Sequence, residues 1–296
     1  MNSYASDTVM ENTAANPDNA VMRVRKVDRD VSYDFDTDIP RYWMNENVWA
    51  THLANSFHLI FPDGERFFIR SVAAYKDRIT EPELRAQVKD FMAQEVQHGI
   101  MHEKFQATLR KQGFKIDGFL KFYNWLGYGF IEKWSNRIFG PRIALSITAA
   151  LEHYTASLAE VTLTEDFDHM APPAMVNMLR WHACEEIEHK SVAFNVLKQV
   201  APGYFLRVFG LFAATFLLAA MTLIGQWSFI LQDGQPGLRG YARALLHFLR
   251  NGARMHRNIP GYVLQYLKPD FHPDQIDNRH IAARYLLEQG LEPASA

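Results

Sequence analysis

Two segments of this 296-residue chain carry the same pair, Glu95-x-x-His98 and Glu186-x-x-His189. Each follows a lone glutamate set in an apolar run, Glu65 in DGERFFIRSVAAY and Glu152 in ITAALEHYTASLAE. Residues three apart lie on one face of a helix, so each pair can reach a common point. Thirty residues separate Glu65 from Glu95 and 34 separate Glu152 from Glu186, the span of a helical hairpin. One Glu from each of two helices and one Glu-x-x-His from each of two more form the ligand set of a dinuclear metal site in a four-helix bundle. The pattern therefore predicts an all-α fold in which four helices converge on Glu65, Glu95, His98, Glu152, Glu186 and His189. In an O2-activating site of this kind Glu65 and Glu152 would be terminal ligands, Glu95 and Glu186 would bridge, and each histidine would cap one metal.

Carboxylate oxygen and imidazole nitrogen suit iron, manganese or zinc. Four carboxylates in an apolar setting are very costly to bury alone, and two divalent ions neutralise them. The neighbouring residues leave choices open. Glu185 stands four before His189 and competes with Glu186, whose spacing matches the first pair. His153, beside Glu152, faces about 100° away on a regular helix and reads as an outer residue. His102 is four after His98, and His182 is four before Glu186. Both fall on the ligand face, either as extra ligands or as hydrogen-bond partners of the ligating carboxylates. Gln94 and Gln97 read as ordinary helix residues, and Tyr75 and Tyr154 as packing.

The punctuation of the chain supports helices and little else. No sustained Val/Ile/Thr alternation bounded by turn residues is present. An aromatic-rich amphipathic helix is expected over 40–60, and a second, opened by Pro62-Asp63, to Ile79. Thr80-Glu81-Pro82-Glu83 reads as a capping box that starts a helix ending near Gln112-Gly113. Further helices are expected over 117–138, 141–164 and 173–200, separated by Gly140-Pro141 and HMAPPAM. One domain over 23–290 is expected, holding a bundle at 62–200, an apolar helix or hairpin at 203–232 and C-terminal helices at 238–290. The polar residues 1–22 read as a disordered tail without the apolar core of a signal peptide.

Composition narrows the function classes. A net charge of −2 gives no footprint for nucleic-acid binding. Cys184 is the only cysteine, which excludes an intramolecular disulfide or a thiolate cluster and fits a reducing cytoplasm. Val208 to Leu231 is 24 residues without a charge, long enough to span a bilayer. Basic residues flank it on both sides, whereas a single span shows a one-sided bias. A re-entrant, in-plane, buried or dimer-interface helix is the better expectation. This stretch and the aromatic helix near 117–134 point to an apolar or lipid-like small-molecule substrate. The basic segment RALLHFLRNGARMHRN reads as a solvated helix face or as one lying on anionic lipid at the inner face of the membrane.

The segments FPDGERFFIRSVAAYKDRI, QEVQHGIMHEKF, WHACEEIEHKSVAFNVL and YLKPDFHP resemble a bacterial family named predicted metal-dependent hydrolases, over residues 40–275. The resemblance implies a metalloenzyme with the six ligands named above. The ligand pattern is also similar to the ferritin-like di-iron carboxylate proteins, among them fatty-acyl desaturases, ribonucleotide reductase small subunits and arylamine oxygenases. It implies a ferritin-like bundle with two divalent metal ions, iron before manganese or zinc. Three activities follow as expectations: O2-activating oxidation, hydrolysis as the family name says, and iron oxidation or storage as in ferritins.

Overall fold

Asn47 opens the first helix by accepting hydrogen bonds from the backbone N–H groups of Trp49 and Ala50, which caps the first turn. The structure is a computed structural model that describes residues 24, 35, 38–165, 167–234, 237–255 and 258–291. The expected disordered tail at 1–22 lies outside these residues. The described elements are α1 (Val48–Ala73), α2 (Pro82–Lys111), α3 (Asp117–Asn124), a π-helical segment (Trp125–Glu132), α4 (Lys133–Phe139), α5 (Arg142–Thr164), α6 (Pro173–His189), α7 (Val192–Val200), α8 (Tyr204–Gln232), α9 (Leu238–Met255), α10 (Ile259–Tyr266) and α11 (Arg279–Glu288), with short 3-10 turns. No strand occurs among the described residues.

Helices α1, α2, α5 and α6 pack as a four-helix core, α1 on α2 and α5 on α6, with α8 laid across α1 and α5. Two apolar clusters fill its ends. One holds Phe68, Phe91, Leu145 and Val196. The other holds Leu59, Phe105, Met178 and Trp181. Full burial of each such side chain is worth about 1.5–3 kcal/mol. The sequence puts a polar layer between these ends: Glu65 lies between Ile60 and Phe67 on α1, and Glu95 and His98 lie between Phe91 and Met101 on α2.

Several expected boundaries change. The two helices anticipated on either side of Pro62 are one continuous helix, α1, with the proline inside it. A proline has no N–H to give the carbonyl four residues back. Gln106 of α2 supplies the missing donor, from Nε2 to the His58 carbonyl at 2.9 Å. The expected capping box does not form. Helix α2 starts at Pro82 with no side-chain cap, because Glu81 rather than Thr80 occupies the N-cap position; the Thr80 hydroxyl accepts from Gln199. The single helix expected over 173–200 is two, broken at Lys190-Ser191. Lys190, buried, donates from Nζ to the Ile276 carbonyl and to Asn278 Oδ1, each at 2.6 Å. Those bonds to the 274–278 loop hold the chain out of a straight helix. The aromatic helix near 117–138 runs on as expected but widens into a π-helix at Trp125–Glu132, where Gly127 and Gly129 weaken regular helix.

The apolar stretch is one helix, α8, rather than a hairpin. It is long and apolar enough to cross a membrane, yet a third of its most apolar window (33%) is buried against the core. Gly210, Leu211, Ala214 and Gly225 make that buried flank.

Candidate metal centre

Four helices bring their acidic and imidazole groups into one layer. Helix α1 contributes Glu65, α2 contributes Glu95, His98 and His102, α5 contributes Glu152, and α6 contributes His182, Glu186 and His189. All are 6% exposed or less, so water does little to offset their charge. Two overlapping donor groups result. Glu95, His98, Glu186 and His189 form one, and Glu65, His98 and His182 the other, each with its ligand atoms within 4.8 Å of one another. Glu152 adjoins the first through His189, whose Nδ1 donates to Glu152 Oε2 at 2.8 Å. His102 Nε2 stands 3.5 Å from Glu65 Oε1.

The donor atoms face a common space more than one another. Both oxygens of Glu65 and of Glu95, together with Glu152 Oε1, Glu186 Oε2, His98 Nδ1, His102 Nε2 and His189 Nε2, are buried without a hydrogen-bond partner. His189 Nε2 comes within 3.1 Å of Glu95 Oε1 without hydrogen-bond geometry. Buried polar atoms are nearly always satisfied in proteins. A convergent set of unsatisfied oxygens and nitrogens fits divalent metal ions, with hard carboxylates and imidazoles suited to iron, manganese or zinc.

Electrostatics say the same. The ion-pair partners of Glu65, Glu95, Glu152 and Glu186 are histidines, and no Lys or Arg pairs with them among the described residues. Burial, reinforced by Glu95, raises the Glu65 carboxyl well above its usual range. Burial raises Glu95 and pushes Glu152 up to about 8, against the pull of His189. Burial would raise Glu186 too, but His189 and His182 outweigh it and hold that carboxyl low. Burial disfavours the charged form of His189, yet Glu152 and Glu186 lift it to about 9. The metal-free layer thus resists ionising all of its carboxyls together, and a bound cation would favour their charged form.

Outer contacts orient the inner groups. His98 Nε2 donates to Glu185 Oε2 at 2.9 Å, which leaves Nδ1 toward the cluster. Glu185 is therefore placed behind His98, and Glu186 in the donor group. His182 Nε2 donates to Glu186 Oε1 at 2.7 Å. Gln94, expected to be an ordinary helix residue, is fully buried and donates from Nε2 to Glu188 Oε2 at 3.2 Å. His153 faces away from the layer, its Nε2 bonded to the Tyr262 carbonyl at 2.9 Å.

His58 went unnoticed in the sequence. Its Nδ1 shares a 2.7 Å hydrogen bond with His102 Nδ1, and burial, with His182 nearby, lowers it to about 3. His58 lies seven residues before Glu65, two turns on one face. That spacing has meaning only when the helix runs through Pro62.

A cavity of about 190 Å³ reaches this layer. His58, His102, His182 and Glu186 form its inner wall, and Phe57, Phe61, Leu158 and Leu179 are among its apolar residues.

A family model described as predicted metal-dependent hydrolase matches residues 27–277. The chain belongs to this family. Membership in the predicted metal-dependent hydrolases and the buried Glu/His layer together mark a metal-dependent enzyme. No curated protein and no solved structure matches the chain.

The close packing of α1 on α2 depends on a glycine of this family member. A Cβ at Gly99 would stand 3.1 Å from Glu65 Oε2, so Gly99→Ala must displace that carboxylate by a few tenths of an ångström. We expect the variant to fold and to bind metal about tenfold more weakly, as changes around a ligand typically do. Isothermal titration with Mn2+ reads the difference.

Proposed function

We propose that Glu65, Glu95, His98, Glu152, Glu186 and His189 hold two metal ions, iron in the working protein, in a ferritin-like di-iron carboxylate arrangement. The chain would then be an O2-dependent oxidoreductase acting on an apolar, small-molecule substrate. The observation that carries this reading is the setting of the donor layer. It lies wholly within helices, between two apolar clusters, and the cavity that meets it is walled mainly by aromatic and aliphatic side chains beyond its His/Glu end, with Asn45, Asn47, Thr155, Thr162 and His247 among them. Anionic oxygen donors stabilise high oxidation states of a metal, and a dry pocket protects reactive species from water.

Iron held there would supply the reduction of O2 and the oxidising equivalents. The protein's own residues do the rest. Glu185 fixes the ring of His98 through Nε2, and Glu152 fixes that of His189 through Nδ1, so neither imidazole needs to reorient. His182 holds Oε1 of Glu186. The apolar walls orient the substrate by shape and exclude competing water. The His58–His102 hydrogen bond fixes both rings at the polar end of the cavity.

Hydrolysis, which the family description favours, is the second reading. A metal pair can generate hydroxide from water at neutral pH. Elemental analysis and an oxygen electrode separate the two. Protein loaded anaerobically with Fe2+ should hold two irons per chain and consume O2 with a new absorbance on exposure to air. Protein that takes up zinc alone and turns over esters or phosphoesters without O2 would instead be a hydrolase.

A further inference from the structure

Helix α8 and the segment formed by α3, the π-helix and α4 run side by side in opposite directions. The Lys115 N–H donates to Gln232 Oε1 at 2.7 Å at one end, Phe119 packs on Gly225, and Phe139 and Phe209 line one cavity at the other end. Their outer surfaces are unusually apolar. Phe205, Phe212, Phe216 and Trp227 on α8 and Trp125 and Trp134 on its neighbour are about half exposed or more, Phe205 by 84%. An exposed aromatic patch of this extent marks an interaction surface.

The charge around the patch identifies the partner. On these helices and on α9, up to residue 250, the exposed Lys and Arg residues are Lys121, Lys133, Arg137, Arg239, Arg243 and Arg250, and none of the six has an ion pair among the described residues. The acids there are already used: Asp117 pairs with Arg110 and Glu132 with Arg70. A second copy related by a two-fold axis would set this basic fringe against itself. An anionic surface complements it. Trp and Phe beside Lys and Arg is also the composition of a segment lying in the interface of a bilayer. The face further contains the mouth of an apolar cavity of about 340 Å³, whose lining includes the half-exposed Phe139 and Phe209. Inside, the Tyr123 and Tyr128 hydroxyls bond each other at 2.7 Å, so they make few demands on an occupant.

We propose that this face seats in the surface of an anionic lipid bilayer, α8 lying in the plane rather than crossing it, with the cavity open to hydrocarbon chains. The proposal is independent of whether the metal layer oxidises or hydrolyses.

Vesicle flotation of the full chain tests it. The protein should float with phosphatidylcholine–phosphatidylglycerol vesicles, bind phosphatidylcholine alone about tenfold more weakly or worse, and lose binding as salt rises. Brominated lipid should quench its tryptophan fluorescence. Phe212→Ser/Phe216→Ser should abolish binding with an unchanged melting temperature, since both side chains are exposed. Arg239→Glu/Arg243→Glu should weaken it about tenfold or more. Failure to float with either vesicle would overturn the proposal. So would binding that survives the double Phe replacement. A stable dimer that the same replacement dissociates would assign the face to a second copy of the chain and overturn it as well.

Discussion

Chelator-stripped protein is expected to melt about 10 °C below metal-loaded protein, and Glu95→Gln is expected to erase that difference. A ligand that binds only the folded state at a thousand times its Kd adds about 4 kcal/mol. Each kcal/mol moves the melting temperature of a domain of this size class by about 2–4 °C. Glu95 is the decisive position because both its oxygens are buried and unpartnered and His189 lies 3.1 Å from one of them. An amide of the same shape keeps the packing and loses the charge. The stripped variant should therefore be at least as stable as stripped wild type, because one of four crowded carboxylates has become neutral. Differential scanning fluorimetry with and without Mn2+ reads both effects. A variant that keeps the metal-induced shift would show that the ions bind elsewhere.

The second large effect is expected at Gly210, where Gly210→Ala should lower stability by about 1–3 kcal/mol. Helix propensity alone argues the other way, since alanine gains about 1 kcal/mol over glycine inside a helix. Geometry decides the sign. A Cβ at this position would overlap Ser146 Oγ and lie 2.6 Å from the Ser146 carbonyl oxygen. The backbone of α5 cannot rotate out of the way as a side chain can, so α8 must lift. That also strains the bonds joining the two helices, Ser146 Oγ to the Leu206 carbonyl and Tyr154 Oη to Thr215 Oγ1, both 2.7 Å. Urea unfolding of the variant gives the number, and a stabilised protein would contradict the reading of α8 as docked on the core.

Much of the helical layout was legible because its signals are local. Pro82, Gly113, Gly140 and Pro172-Pro173 stop and start helices wherever they stand. Spacing also exposed the Glu-x-x-His pairs, since three residues on a helix is a fixed distance. The features that escaped depend on residues far away in sequence. Nothing near Pro62 announces that Gln106 will complete its helix. Nothing near Lys190 announces that Ile276 and Asn278 will bend α6 away from α7. The outer aromatic stripe of α8 and its buried small residues both read as unbroken apolarity, because a period that alternates Phe with Gly and Ala hides its polarity of burial. The order of Glu185 and Glu186 around His98 likewise rests on a partner 87 residues away.

The completion of α1 by Gln106 bears on how the chain assembles. A helix that satisfies its own backbone can form as soon as its residues exist. This one has a carbonyl in its middle that only another helix can satisfy, and leaving it bare in the interior costs about 1–3 kcal/mol. Gln106 therefore couples the continuity of α1 through Pro62 to its packing on α2. His58 and Glu65, one on each side of the proline, are held in line by that same contact, so the spatial order of the metal layer belongs to the pair of helices rather than to α1 alone.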